Sequence, residues 1–221
     1  MADLMAEVGR FRTWAGNDPP TTLSRERQRD HADGEWECDY PHWTELYAAV
    51  MEHVAASPPE VWSDEPLQAI LYALARDNED EILGEEIRLR HPETLIALAK
   101  AALVAGEFDA RWQLADQLGQ LDRDLGDVER LLLALVRNED EYVRRRALKS
   151  LARVGSSAAE RLALEAWNRP DEHQEWARMG ALDCLRRIDS PHLEHLLAEA
   201  ERDERQHLRD FAKSLRQEQA G

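Results

Sequence analysis

Apolar and polar residues alternate along most of this chain with the spacing of amphipathic helices. Apolar side chains recur at positions i, i+3, i+4 and i+7, which places them on one face of a helix. In the second half, polar turns separate these segments, and the segments fall into two alternating types. The pattern predicts helices over Asp109–Gly119, Asp127–Arg137, Asp140–Ala152, Ala158–Asn168, Gln174–Leu185, Pro191–Arg202 and His207–Leu215.

One of the two helix types repeats a short motif. In each copy an apolar residue precedes an arginine, and another residue typical of a core follows four positions after that apolar residue. The four copies are spaced by 31 to 34 residues, at Ala110-Arg111, Val143-Arg144, Ala177-Arg178 and Leu208-Arg209. Self-similarity at a fixed period is the signature of stacked structural repeats.

The repeat pattern extends backwards with less regularity. Pro66–Ala75, Glu81–Arg90 and Glu93–Ala105 are predicted helices, so that five helical pairs, or fragments of pairs, lie between about 64 and 217. Tyr40–Ala56 and Met1–Ala15 are also helical by period, and the polar segment Gly16–Asp39 between them is predicted to be a loop. We therefore expect an N-terminal helical cap at 1–63, with a polar loop at 16–39, and a single continuous repeat domain at 64–221.

The arginines and small core residues resemble HEAT repeats, particularly the short bacterial HEAT-like kind, over about two thirds of the chain. The resemblance implies an all-α fold, a short right-handed superhelix whose second helices line a concave ligand surface. It also implies that each repeat arginine pairs with an acidic residue in an adjacent turn. Two features depart from the family pattern: Leu114 stands where alanine is preferred, and the copy around residues 80–90 is short. HEAT repeats serve many unrelated roles, so the fold alone does not indicate an activity.

Charge is unevenly distributed along the chain. The formal net charge is −17; residues 1–110 carry 9 lysines and arginines against 23 aspartates and glutamates, and residues 111–221 carry 19 against 22. An acidic field of this size attracts cationic surfaces and speeds their encounter. It also disfavours direct nucleic-acid binding, whose affinity comes mostly from cations that neutralise phosphates.

The two cysteines, Cys38 and Cys184, show neither ligand nor redox spacing, which favours free thiols in a reducing compartment. The N-terminus has no apolar stretch typical of a signal peptide, and no segment is typical of a membrane span. A cytoplasmic protein that does not bind membranes is the prediction.

Motifs of catalysis and metal binding are absent from the sequence. His31, Cys38 and His42 lack zinc spacing, and His192 and His195 lack an evident third ligand. There is no GxSxG motif and no glycine-rich phosphate loop. No catalytic residue, metal site or cofactor is therefore predicted.

The first candidate for partner binding is the segment Asp30–Trp43, in which large aromatic residues alternate with carboxylates. Such a composition is typical of a hot spot for a cationic protein. The same aromatic residues are equally suited to covering the exposed end of a repeat core. The candidate binding residues in this segment are Asp33, Glu35, Trp36, Glu37, Asp39 and Trp43.

Two further candidates are the acidic turn at Asp77, Glu79 and Asp80, and one repeated position of the second helices, occupied by Glu129, Glu160 and Glu194. The turn is either a hook for a basic partner or a solvated loop tip. The glutamates form either a charged binding stripe or ladders of ion pairs between neighbouring repeats, each contributing little at an exposed surface.

The expected function is that of a non-enzymatic acidic module that binds a basic protein. Its most concrete form is an immunity- or antitoxin-type inhibitor that neutralises a basic effector, such as a toxin or nuclease domain, and acts as a monomer or weak dimer. A HEAT-like lyase or other enzyme, and a general assembly scaffold, are the alternatives.

Overall fold

The computed structural model describes residues 3–15, 40–78, 80–104, 107–121, 127–170 and 174–220. Within these ranges the regular structure consists of twelve α-helices and one 3-10 turn, without a strand. Most successive helices within each compact part of the chain pack against each other. This confirms the predicted all-α, HEAT-like solenoid class, while the handedness of the superhelix stays a prediction. The predicted loop at Gly16–Asp39 lies outside the described residues.

The chain divides into two compact units, unit 1 at Met1–Leu118 and unit 2 at Gly119–Gly221. Unit 1 contains the region predicted as a cap, the predicted helices Pro66–Ala75, Glu81–Arg90 and Glu93–Ala105, and nearly all of Asp109–Gly119. The predicted second helix that follows Asp109–Gly119 belongs to unit 2. Its helices begin and end close to the predicted positions. They are α1 (Leu4–Trp14), α2 (Trp43–Ala56), the 3-10 turn Pro59–Val61, α3 (Asp64–Arg76), α4 (Ile82–Arg90), α5 (Pro92–Val104) and α6 (Phe108–Leu118).

Helix α3 forms the centre of unit 1. Its last eight residues, Ala69–Arg76, are all buried, and the helix packs against α1 and α6. Arg76 lies above the Tyr72 ring, 3.6 Å from the ring centroid, and forms an ion pair of 2.8 Å with the buried Glu107. A buried guanidinium needs such compensation, because an unpaired charge away from water is costly. The pair therefore fixes the end of α3 next to the residue that precedes α6.

Unit 2 contains three second helices and three arginine-bearing first helices. Helix α10 packs against α8, α9, α11 and α12, and its buried residues include Ala177, Ala181 and Leu185. These side chains lie at the spacing that predicted the helix. The helices are α7 (Val128–Leu135), α8 (Glu141–Arg153), α9 (Ala159–Trp167), α10 (Gln174–Arg187), α11 (Leu193–Ala200) and α12 (Gln206–Ala220).

The turns after α8 and α10 have the same geometry. Gly155 and Asp189 both adopt a left-handed backbone, with φ of 66° and 52°, and the following serines, Ser156 and Ser190, donate their backbone N–H to a carbonyl in the last turn of the helix. Each serine hydroxyl then accepts a backbone N–H two residues later, at 3.2 Å. These are a left-handed helix end and a serine turn in succession. The serines precede the N-cap residues of the next helices, which are Ala158 and His192.

The four repeat arginines have equivalent roles. Each guanidinium donates to a backbone carbonyl in the last turn of the preceding helix or just after it, where carbonyls lack helical partners and the helix dipole favours a cation. The donor–acceptor pairs are Arg111 Nε to Ala102 at 2.7 Å, Arg144 to Asn138 at 3.1 Å, Arg178 Nε to Trp167 at 3.2 Å and Arg209 to Asp203 at 2.7 Å.

The partner of these arginines was predicted to be an acidic side chain. That prediction holds for Arg178, which also pairs with the Asp203 carboxylate at 2.9 Å. The contact that all four share is instead the backbone carbonyl. A backbone carbonyl at a helix end is present whatever the local sequence. The contact can therefore recur in each repeat without a recurring acidic residue.

Candidate functional site

Six of the predicted partner-binding residues lie outside the described residues. They are Asp33, Glu35, Trp36, Glu37, Asp39 and Glu79. The structure describes the other six, which belong to three different places in the fold: the start of α2, the turn between α3 and α4, and the second helices of unit 2.

Unit 1 contains an acidic run of sequence that the predictions above did not single out. From Asp30 to Ala75 the chain has ten aspartates and glutamates and neither a lysine nor an arginine. All the carboxylates of this run that the structure describes are exposed: Glu45, Glu52, Glu60, Asp64 and Glu65. We call these five residues the acidic face. The absence of lysine and arginine from this run can be read from the sequence, and this absence is the signal that could have identified the acidic face.

Three carboxylates of the acidic face lie in the first turn of a helix. Asp64 and Glu65 lie in the first turn of α3, where the helix dipole favours anions. Glu45 lies in the first turn of α2, where its own backbone N–H and the ring of His42, at 3.4 Å, lower the pKa of its carboxyl. A carboxylate with a lowered pKa stays ionised to lower pH, so Glu45 remains negative across the neutral range.

Trp43 belongs to an aromatic cluster at the start of α2. Its ring lies 5.1 Å from Phe11, 5.5 Å from Tyr40 and 5.3 Å from Tyr47, measured between ring centroids. Tyr40 is buried, and this burial raises the pKa of its hydroxyl. Trp14, which lies 5.1 Å from Tyr40, leaves 40% of its surface exposed. The cluster therefore packs Trp43 among other aromatic rings and also presents an aromatic edge to solvent at Trp14. Whether these rings cover the end of the repeat core or bind a partner stays a prediction.

Asp77 was predicted to be either part of a hook for a basic partner or part of a solvated loop tip, but its side chain is fully buried. Its carboxylate accepts the Tyr47 hydroxyl at 2.8 Å and the Leu83 backbone N–H at 2.6 Å. It joins α2 to the first turn of α4, so it has a structural role and is not available to a partner in this structure. Asp80 is exposed at the tip of the same turn and stays a candidate.

The glutamates of the second helices make contacts that favour the interpretation of ladders between repeats. Glu160 accepts the Ser190 hydroxyl at 2.6 Å, and Glu194 forms an ion pair of 2.8 Å with Arg216. In both cases the partner belongs to a later element of unit 2. Glu129 is half-buried on α7. Whether these three residues also bind a partner stays a prediction.

The described residues include one cysteine, Cys184. Burial raises the pKa of the Cys184 thiol to about 12, so this thiol is not a nucleophile near neutral pH. Within the described ranges, histidine, cysteine and acidic side chains do not come together in threes as a metal site requires. None of the described helices is both long and apolar enough to cross a bilayer.

Comparison with known proteins identifies the repeats. A family model of HEAT repeats matches residues 128–215, which span α7 to α12 and include three of the four repeat arginines. No curated protein and no solved structure matches the chain. Repeats of this kind generally form non-enzymatic scaffolds that mediate protein–protein interaction, which indicates an interaction or scaffold role. With its helical fold and equivalent repeat arginines, the chain is a HEAT-like repeat protein.

Proposed function

We propose that this chain binds a basic protein through unit 1, and that it is an immunity- or antitoxin-type inhibitor of a cationic effector such as a nuclease. The observation that supports the proposal is the acidic face, in which five exposed carboxylates occur in a run of the chain without a lysine or arginine. Residues 1–118 as a whole carry 10 lysines and arginines against 24 aspartates and glutamates.

Electrostatics makes such a surface suited to inhibition. A field of one sign steers an oppositely charged partner and raises the association rate by about ten- to a thousandfold, an effect that falls with ionic strength. An inhibitor must capture its target before the target acts, so a rapid encounter is the property that matters most. The predicted residues of the segment Asp30–Trp43 extend the same negative run in sequence.

Aromatic residues next to the carboxylates add short-range affinity. Trp43 begins the helix that carries Glu45 and Glu52, and Trp14 presents a partly exposed ring to solvent in the same cluster. Tryptophan and tyrosine are the usual anchors of interface hot spots, and their rings attract arginine and lysine side chains. A basic partner with exposed arginines would use both kinds of contact.

The first test is co-purification from the native host at low salt, followed by an activity assay of the retained protein. We expect that a basic protein is retained and that its activity is lost when the chain is added. We also expect light scattering to show that the complex contains one copy of the chain. If no basic protein is retained, the proposal fails. Retention of several unrelated proteins without loss of activity would instead favour a general scaffold.

The second test locates the surface. The double variant Asp64→Asn and Glu65→Gln neutralises two carboxylates of the acidic face, and Glu204→Gln with Asp210→Asn makes the same charge change at exposed positions of unit 2. We expect the first pair to slow association about tenfold and the second to leave it nearly unchanged. Charge reversal of Asp33, Glu35 and Glu37 tests the predicted segment in the same assay. Equal effects of the two neutralising pairs would show that only net charge matters.

A further inference from the structure

A groove of about 340 Å³ lies on unit 2 between the first helices α8, α10 and α12. The HEAT resemblance places ligand binding on the second helices, so this groove is on the other helix type. We call it the first-helix groove. Its lining includes Arg145, Arg146, Lys149, Met179, Asp183 and Phe211.

The lining has a positive balance. It contains three cations and one carboxylate, that of Asp183. This carboxylate already faces Arg186, at 3.2 Å and outside the groove lining, and lies 3.9 Å from the Lys149 amine. Outside the lining, Glu141 pairs with Arg145, and Tyr142 contacts Arg146 through its hydroxyl and its ring. The lining by itself has more cations than carboxylates, in a chain whose overall charge is strongly negative.

Arg145 is held in place by its neighbours. Its guanidinium lies 3.0 Å from the Glu141 carboxylate, and it stacks over the rings of Tyr142 at 4.8 Å and Trp176 at 5.8 Å. Its stem crosses α10 at Gly180, where a Cβ atom would approach the Arg145 Cγ to 2.7 Å. A glycine inside a helix costs about 1 kcal/mol relative to alanine. Helix α10 has this unfavourable glycine at the position where a larger residue would clash with the Arg145 side chain.

The groove also offers apolar contacts. Met179 and Phe211 are half-buried and line it together with the cations. Arginine, methionine and aromatic residues are enriched in the cores of protein interfaces relative to the rest of the surface. A ligand that fits this lining carries negative charge and at least one apolar side chain, and it reaches across three helices.

We propose that the first-helix groove binds an acidic peptide segment of another protein. Carboxylates of the segment contact Arg146 and Lys149, and an apolar side chain packs between Met179 and Phe211. A nucleic acid fits less well. Residues 119–221 carry 18 lysines and arginines against 21 aspartates and glutamates. A long phosphate chain would therefore extend beyond the three cations of the groove into a region with more acidic than basic residues. The proposal is independent of the function proposed for unit 1, since it concerns another unit and a ligand of opposite charge.

The experiment measures fluorescence anisotropy with a fluorescein-labelled peptide of alternating glutamate and leucine, added to the full chain at low salt. We expect saturable binding that weakens about tenfold in the double variant Arg146→Gln and Lys149→Gln, since each lost contact is a charge-assisted hydrogen bond. The matched control is Arg187→Gln, at an exposed position of α10 outside the groove lining. It should leave binding unchanged. Circular dichroism checks that each variant is folded, and if the double variant is not, Lys149→Gln alone decides.

Four results would overturn the proposal. The peptide fails to bind, or Arg187→Gln weakens binding as much as the groove variants do. A peptide with serine in place of leucine binds as tightly, which would remove the role of Met179 and Phe211. A labelled oligothymidylate binds more tightly than the acidic peptide, which would make the groove a nucleic-acid site.

Discussion

Asp203 binds arginines from two helices of the last repeats, and the variant Asp203→Asn tests how much these contacts contribute to the stability of unit 2. The Asp203 side chain accepts from Arg205 at 2.6 and 2.7 Å and from Arg178 at 2.9 Å, and its backbone carbonyl accepts from Arg209 at 2.7 Å. Two of the four repeat arginines therefore converge on one residue. Asparagine keeps the shape and one acceptor oxygen but removes the charge.

The magnitude follows from the pKa of this carboxyl. Hydrogen bonds from Arg205, and then the charges of Arg205 and Arg178, lower the pKa of Asp203 from 3.8 to about 2. One pKa unit corresponds to about 1.4 kcal/mol, and solvent screening reduces the sum, so the ionised carboxylate stabilises unit 2 by about 2 kcal/mol. Because the pKa is lower in the folded state, this stabilisation is complete above pH 4 and is lost as the pH falls from about 4 to about 2.

Amide hydrogen exchange of α10 and α12 measures the local stability, because the two units need not unfold together. We expect Asp203→Asn to lower the opening free energy by about 2 kcal/mol at neutral pH and by nearly nothing at pH 2. Asp210→Asn, at an exposed position of α12, is the control and should change little at either pH. A difference between wild type and Asp203→Asn that is the same at both pH values would refute the reasoning, because ionisation would then not be its source.

Three further outcomes follow from single residues. In a Cys38→Ser variant, which leaves Cys184 as the single thiol, Cys184 should not react with a thiol reagent in the native state and should react fully in denaturant, since burial raises its pKa to about 12; rapid native labelling of this variant would contradict this. Asp77→Ala should destabilise unit 1 by about 2 kcal/mol in urea unfolding, because the Tyr47 hydroxyl and the Leu83 N–H lose their acceptor, whereas Asp80→Ala, at the exposed tip of the same turn, should not. Asp189→Gly should stabilise unit 2 by about 1 kcal/mol, because glycine adopts the left-handed conformation of this position without strain; no gain in hydrogen-exchange protection would contradict it.

The helices were predictable because their signal is local. The predicted segment Glu93–Ala105 corresponds to α5 at Pro92–Val104, and Ala158–Asn168 to α9 at Ala159–Trp167. Their ends depend on caps and turns, which the apolar period does not record. Helix α11 was predicted from Pro191, yet it begins at Leu193, since Ser190 first closes a turn on the backbone N–H of His192.

The roles of single polar residues were less predictable, because their partners are distant in sequence. Asp77 has the sequence context of a solvated turn, and only the fold brings Tyr47 to it from thirty residues away. The first-helix groove combines side chains of three helices, and its shape depends on the absence of a side chain at Gly180. No pattern along the chain records such a combination. The acidic face is the opposite case, since the run without cations can be counted in the sequence.

The two proposed surfaces impose different requirements on their partners, and this determines how they must be tested together. Both interactions depend on charge, so both weaken as salt screens them, and a salt titration alone does not separate them. The sign of the partner's charge does: the acidic face selects a cationic protein, and the first-helix groove selects an anionic segment. The surfaces belong to different compact units, so neither partner needs the residues that hold the other. A chain with both properties bridges two proteins of opposite charge. The complex that tests both proposals together therefore contains the chain and both partners. In this ternary complex, neutralising the acidic face should release only the basic partner.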